Sequence, residues 1–357
     1  MIQDATGRAS VNGKRRDGNQ PGSISLKDLS PGLDEHPVDA VITWVDSNKN
    51  GIKKRIAKYA SQAASGMSSE EYEDHRYASG NEIIFCIMSI IKNAAFIRRI
   101  YIVTDGQQPP IGPEECNIPD TWQNRIKVVD HREIFSGLTD YLPTFNSLSI
   151  ETVLHRIPGL SEHYIYFNDD FFILRKTTYA DFFNEAGPIS RGYLSRPGSI
   201  PVRYDTAKAR NSNTVGFVIP MVNASRAIHK GKEGTFVRLF HAPYAFRKST
   251  LVDFFETNQA LLVNNIRHRF RSYEQFSVAA LSATLEWQRS GRPPDSTVRH
   301  VYVKPIDRFT GYCQLKLLPY AAWDGILFAC IQSMTCASDQ VRAFLEHWLW
   351  QCLQGDA

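Results

Sequence analysis

Apolar residues in this chain come in short blocks interrupted by polar clusters, and the length of each block sorts it into strand or helix. Val38 to Val45 is a β-branched and aromatic run closed by the turn chemistry of Asp46-Ser47-Asn48-Lys49-Asn50-Gly51. Lys53 to Tyr77 is polar and charged, which predicts an exposed helix and a loop. From Asn81-Glu82 the pattern changes: Ile83 to Met88 with Ile90 and Ile91 is apolar nearly all round, a helix to be sandwiched inside the protein. Two further strands follow, Ile100 to Thr104 running into Asp105-Gly106-Gln107, and Ile126 to Val129 ending at Asp130-His131. A helix is expected from about Leu148 to His155, stopped by Pro158-Gly159, and then a buried strand begins at Tyr164.

The second half reads less regularly. Tyr179 to Asn184 predicts a short helix, Arg191 to Tyr204 mixed strand and loop, and Ala207 to Asn213 a polar segment. Val215 to Ala227 is apolar enough to pack, and a helix is expected from about Ser249 to Val263. Another follows with Phe276, Ala279, Ala280 and Leu281 at apolar positions. Late strands at Val298 to Val303 and Ile326 to Ile331 precede a last helix from Ser338 to Leu353. Strands alternating with helices indicate an α/β fold, with a Rossmann-like, mostly parallel sheet flanked by helices and a helical C-terminal part that completes the site. The expected organisation is a flexible tail over 1–36 and a single catalytic domain over 37–357. Within it, 37–175 forms the α/β core and 176–357 the helical and mixed part.

Composition narrows the partners. The 357 residues carry 22% charged and 43% hydrophobic side chains, which is globular. A net charge of +4 argues against a nucleic-acid surface while suiting a polyanionic ligand. Six cysteines lack CxxC spacing, so no zinc site is expected and reduced thiols in a cytoplasmic setting are. No apolar run approaches the ~18 residues of a spanning helix.

Candidate chemistry collects at the ends of the strands. In an open α/β sheet the carboxyl ends of strands face the ligand crevice, which puts Asn168, Asp169 and Asp170 there. Two adjacent carboxylates suit a hard cation such as Mg²⁺, or form a polar turn. Asp105 is placed for a ribose or base contact, or is part of an Asp-Gly turn. Asn146 and Ser147 are helix N-caps or touch a diphosphate. Arg267, Arg269 and Arg271 offer fork-shaped donors suited to phosphate oxygens.

Taken in order, these segments resemble one known pattern. It runs through Asp39-Ala40-Val41-Ile42-Thr43-Trp44-Val45, Arg76-Tyr77, Asn81-Glu82 and Ile100 to Gln107. It continues in Leu142-Pro143-Thr144-Phe145-Asn146-Ser147, Ile150-Glu151, Tyr166-Phe167-Asn168-Asp169-Asp170, His241-Ala242-Pro243 and Arg271 to Glu274. The chain resembles the Stealth family of sugar-1-phosphate transferases, over roughly residues 38 to 290. Two places depart from that pattern: Trp44-Val45-Asp46-Ser47 stands where the family usually has Trp-Val-Asn-Gly, and Cys330-Ile331-Gln332-Ser333 where it carries an Asn-Asp pair.

The resemblance implies transfer of a hexose-1-phosphate from a UDP-sugar to a hydroxyl of a glycan acceptor, with release of UMP, in capsule or exopolysaccharide synthesis. It implies Mg²⁺ (or Mn²⁺) on Asp169 and Asp170, catalytic roles for His241, Asp169 and Arg271, and phosphate binding by Arg271 and Arg76. Asp39, Trp44, Asp105, Gln107, Asn146, Ser147 and Asn168 are its further substrate-binding positions. The expected partners are the donor, a glycan or polysaccharide acceptor and peripheral contact with a membrane-bound capsule assembly at the inner face of the plasma membrane. The alternatives are a metal-dependent glycosyltransferase that releases UDP and a non-catalytic sugar-nucleotide or glycan-binding protein.

Overall fold

The computed structural model describes residues 36–46, 51–62, 80–112, 116, 118–199, 217–232 and 234–355. The expected roles of Arg76 and Tyr77, the tail before residue 36 and the segment 207–213 lie outside the described residues. In chain order the first half consists of β1 (Val38–Thr43), α1 (Ile52–Gln62), α2 (Glu82–Asn93), β2 (Ile97–Thr104), α3 (Asp120–Gln123), β3 (Ile126–Asp130), α4 (His131–Ile134), α5 (Ser147–Thr152), β4 (His163–Asn168) and β5 (Phe171–Ile173). The second half adds β6 (Phe183–Asn184), β7 (Gly187–Pro188), β8 (Gly192–Ser195), α6 (Ile219–Ile228), β9 (Phe236–Leu239), β10 (Tyr244–Arg247), α7 (Lys248–Thr257), α8 (Gln259–Ile266), α9 (Val278–Ser290), β11 (His300–Val303), α10 (Thr310–Ala322), β12 (Phe328–Ile331) and α11 (Asp339–Gln354).

The central sheet has the order β10-β4-β1-β2-β3, with β4, β1, β2 and β3 parallel and β10 antiparallel at the β4 edge. Side chains alternate across it. Ala40 and Ile42 enter one core with Ile83, Ile87 and Phe328, and Val41 enters the other with Tyr166, Leu154 and Leu281. Both faces are therefore covered, as the apolar residues on both sides of the strands require.

The register lines up the carboxyl ends, with Thr43 beside both Val103 and Asn168, and Thr104 beside Asp130. At Asn168 the chain leaves this sheet, turns through Asp169 and Asp170, and enters a second one as β5. There β5 runs antiparallel to β12, which is parallel to β11. The two carboxylates thus form the corner between two sheets. The apolar helix α2 holds that corner, for its buried Ser89 Oγ accepts from Ile173 N (3.0 Å) and Asn93 Nδ2 donates to Ile173 O (2.7 Å). These bonds satisfy backbone groups of β5 that no strand reaches on that side.

Three expectations on element type change. The helix expected over 249–263 is two helices, α7 and α8, divided at Asn258. The helix expected over 179–184 is a single 3₁₀ turn, Tyr179–Asp181, followed by the β6–β7 hairpin. Helix α10 lies in a stretch for which no element was expected.

Candidate active site at the carboxyl edge of the sheet

Asn168 extends the alternation of β4, so its side chain shares a face with Tyr166 two residues earlier. Tyr166 is fully buried and its hydroxyl sits among three oxygens: Asn168 Oδ1 at 2.6 Å, Thr43 Oγ1 at 2.9 Å and Glu151 Oε1 at 3.3 Å. Asp169 and Asp170 follow at the turn. Each keeps partial contact with solvent, yet protein atoms crowd them. Burial, then Asp170 and Glu82, push the Asp169 carboxyl well above the usual carboxylate range. Burial and then Glu82 raise Asp170 to about 7. Glu82 is fixed nearby at the start of α2, where its carboxylate accepts from Gly80 N (2.7 Å) and Thr335 N (2.8 Å).

This crowd of like charges lacks a protein counter-ion. Asp170 Oδ1 is buried without a hydrogen-bond partner, an oxygen facing no donor. Cys330 on β12 is buried against Asp170, and Cys86 on α2 lies beneath the turn with its Sγ 3.8 Å from Asn168 O. The carboxylates raise both thiols further beyond what burial does. An orphaned oxygen within a negative cluster fits a hard cation. Among the described residues no group of three or more His, Cys, Asp or Glu is arranged to hold a metal. The protein would then supply one or two carboxylates and leave the remaining positions to water and phosphate, as Mg²⁺ sites commonly do.

The cationic side of the site is built from two segments far apart in sequence. Asn146 caps α5 by accepting from Leu148 N (3.2 Å), and its Nδ2 lies 2.9 Å from His268 O, 2.8 Å from Phe270 O and 2.8 Å from Gln275 Oε1. The clasp sets Arg271 over the first turn of α5, donating to Ser147 Oγ at 2.8 Å. One turn on, Glu151 faces Arg271, Ser147 and Tyr166. Burial outweighs these three and raises the carboxyl to about 7. Of the three expected guanidinium groups only Arg271 turns this way, since Arg267 pairs with Glu274 (2.7 Å) and Arg269 donates to Pro143 O (2.6 Å).

His241 closes the opposite side. Its ring stacks on Phe217 (3.8 Å between centroids) and packs against Tyr302 (4.7 Å), whose hydroxyl donates to Gln332 Oε1 (2.6 Å). Tyr302 itself feels the charge of Asp170, which places this aromatic pair beside the acidic turn. Burial and then His300 lower His241 to about 4, so it is neutral at pH 7. Among the described residues neither ring nitrogen has a hydrogen-bond partner.

The structure brings together Asn168, Asp169, Asp170, Ser147, Arg271 and His241, and corrects other expectations. Asp39 lies near the amino end of β1, away from the crevice, where Arg98 and Ser161 saturate it. Trp44 is 4% exposed and belongs to the core with Ile83. Gln107 is buried and its amide clamps the Asp46 backbone, with Nε2 to O at 2.8 Å and Oε1 to N at 2.9 Å. Asn146 is fully buried and acts by holding the Arg271 segment. Asp105 does sit at the carboxyl end of β2, paired with Arg55 at 2.7 Å. Tyr166, Glu151 and Tyr302 were not expected at the site. The first two carried a legible signal, Tyr166 being two strand positions from Asn168 and Glu151 four helical positions from Ser147.

The fold and site define an α/β protein whose mostly parallel sheet presents a carboxylate pair, a guanidinium and a neutral imidazole at its carboxyl edge. Residues 76–190 match Stealth protein CR2, conserved region 2, and the chain belongs to the Stealth family. An exopolysaccharide phosphotransferase of Streptomyces coelicolor is 33% identical over 272 residues, 75% of this chain and 42% of that protein. A capsular polysaccharide phosphotransferase of Haemophilus influenzae is 32% identical over 68% of this chain and 63% of its own. Another, from Aeromonas hydrophila, is 30% identical over 69% and 64%. The chain spans between 27% and 46% of the length of three curated relatives from Streptomyces coelicolor. Among the described residues no helix is long and apolar enough to cross a membrane.

Proposed function

We propose that this chain catalyses transfer of a hexose-1-phosphate from a UDP-sugar to a hydroxyl of a glycan acceptor, forming a phosphodiester and releasing UMP. The observation that carries the reading is the crowded pair Asp169 and Asp170, with its orphaned oxygen, linked through Asn168, Tyr166 and Glu151 to the guanidinium of Arg271. Relatives named for capsular and exopolysaccharide phosphotransfer support it. The acceptor oxygen attacks the phosphorus attached to the sugar, the bond from that phosphorus to the UMP oxygen breaks, and the hydroxyl proton leaves to a base. Such a reaction needs charge stabilisation and in-line positioning more than covalent help from the protein.

Asp169 and Asp170 would hold Mg²⁺ or Mn²⁺, which when bound supplies charge neutralisation on the diphosphate. Arg271 offers parallel N–H donors to phosphate oxygens, with Ser147 fixing its angle. His241 is unprotonated at neutral pH and able to accept the hydroxyl proton, and an anionic substrate beside it raises its basicity. All six cysteines are free, in keeping with the reducing cytoplasm in which nucleotide sugars are available. The test is to incubate the protein with Mg²⁺, a panel of UDP-sugars and a glycan acceptor, and to identify the released nucleotide. UMP with a new phosphodiester is the expected result. UDP would move the attack to the anomeric carbon and make the protein a glycosyltransferase, and binding without turnover would leave a binding protein.

A further inference from the structure

The hydrogen-bond count around Tyr166 carries an inference beyond the roles given above, and it rests on the proposed sugar-nucleotide reading. A tyrosine hydroxyl has one proton to give and two lone pairs to receive with, and that of Tyr166 meets three oxygens in a buried setting. Asn168 Oδ1 is the nearest, at 2.6 Å, and it only accepts, so the proton goes there. Thr43 Oγ1 at 2.9 Å then donates to the tyrosine oxygen. The remaining contact, with Glu151 Oε1 at 3.3 Å, is attractive only if Glu151 carries a proton. An ionised Glu151 would instead claim the Tyr166 proton, leave two lone pairs facing each other at Asn168, and turn its amide over.

We propose that protonated Glu151 acts through Tyr166 as the positioning residue that holds the side-chain N–H of Asn168 outward, as a hydrogen-bond donor to the diphosphate of the nucleotide sugar. A donor at this point suits phosphate oxygens. The flipped amide would add another oxygen to the crowd of Asp169, Asp170 and Glu82. The groups that face Glu151 are Ser147 on its own helix, Arg271 from the loop after α8, Tyr166 on β4 and Tyr244 on β10. Arg271 and the Ser147 hydroxyl favour the ionised carboxylate, as the Tyr166 hydroxyl would if it turned its proton from Asn168 to Glu151, but burial opposes them and wins, so the protonated form prevails below about pH 7.

The test is calorimetric titration with UDP in the presence of Mg²⁺, from pH 6 to 8.5, for the wild type, Glu151→Gln, Glu151→Ala and Tyr166→Phe. The glutamine side chain keeps a donor toward Tyr166 at every pH. Expected results are UDP binding by Glu151→Gln within threefold of wild type at pH 6, and a ratio of wild-type to Glu151→Gln affinity that falls as pH rises through about 7. The ratio cancels the titration of Asp169 and Asp170, which both proteins share. Glu151→Ala and Tyr166→Phe should each bind about tenfold more weakly, the equivalent of one lost hydrogen bond. Equal weakening in Glu151→Gln and Glu151→Ala, or a ratio flat with pH, would overturn the positioning role while leaving the site. A wild type that binds no UDP at any pH would overturn the sugar-nucleotide reading and this inference with it.

Discussion

Asp39 lies near the amino end of β1, and Asp170 lies in the turn just past the carboxyl end of its neighbour β4, at the opposite edge of the same parallel sheet. Asp39 has no exposed surface, and four donors converge on it: Arg98 Nε at 2.9 Å, another Arg98 nitrogen at 2.6 Å, Ser161 N at 2.8 Å and Ser161 Oγ at 2.7 Å. Asp170 touches solvent, yet one of its oxygens has no donor and its neighbours are carboxylates. Burial alone therefore does not mark a functional acid. A buried carboxylate whose lone pairs are all filled fixes the fold, whereas one kept short of donors beside like charges needs something brought from outside.

The sharpest way to break this contrast is Asp170→Asn. Turnover by the purified protein should fall about 10³-fold, the scale of removing a principal electrostatic contact to a transition state. The metal-free variant should melt no lower than the wild type, because a crowded charge has been taken away. Near-normal turnover would remove Asp170 from the scheme.

Asp39→Ala should behave in the opposite way. Removing the buried partner of Arg98 and the acceptor of two Ser161 donors should cost about 3 kcal/mol in a urea unfolding titration, at the low end for a buried pair because the Arg98 side chain is 36% exposed. The folded fraction should turn over normally. A stable but inactive variant would return Asp39 to the site.

The smallest expected effect concerns pH. Asp170 titrates near 7 in the fold, above its value in the unfolded chain. The fold therefore holds this proton more tightly, and its contribution to stability is lost as pH rises from about 4 through about 7. A cation should offset that loss, so Mg²⁺ should raise the melting temperature by a few degrees more at pH 8 than at pH 5.5. His131, His155, His241 and His300, each lowered to about 4, act the other way and weaken the fold as pH falls below about 6.5. Comparing samples with and without Mg²⁺ at one pH cancels them. An equal shift at both pH values would count against a metal on Asp169 and Asp170.

Much of the sheet could be read directly, because β1 to β4 are rich in β-branched and aromatic residues and end in polar stops, and the polar stop of β4 is the acidic corner itself. Pattern could not show that β5 departs into a second sheet. Its partner β12 lies more than 150 residues later, and so does the Cys330 that meets Asp170. Nor could it separate Arg271 from Arg267 and Arg269, whose directions depend on contacts with Glu274 and Pro143. Trp44 and Gln107 sit where the family pattern suggested ligand contacts, but core packing and a backbone clamp account for them. Local order is written in spacing, whereas the closing of the site depends on tertiary partners.

Asn146 decides what can be moved. Its amide ties the 142–151 segment to 268–275, and Phe145 N to Arg269 O (2.8 Å) together with Ser149 Oγ to His268 O (2.9 Å) seal the same seam. A graft of the acidic corner into another scaffold would carry anions without the clasp that aims their opposing cation. The smallest portable unit is accordingly a discontinuous pair of segments, with the Asn146 amide at the centre of the seam that joins them.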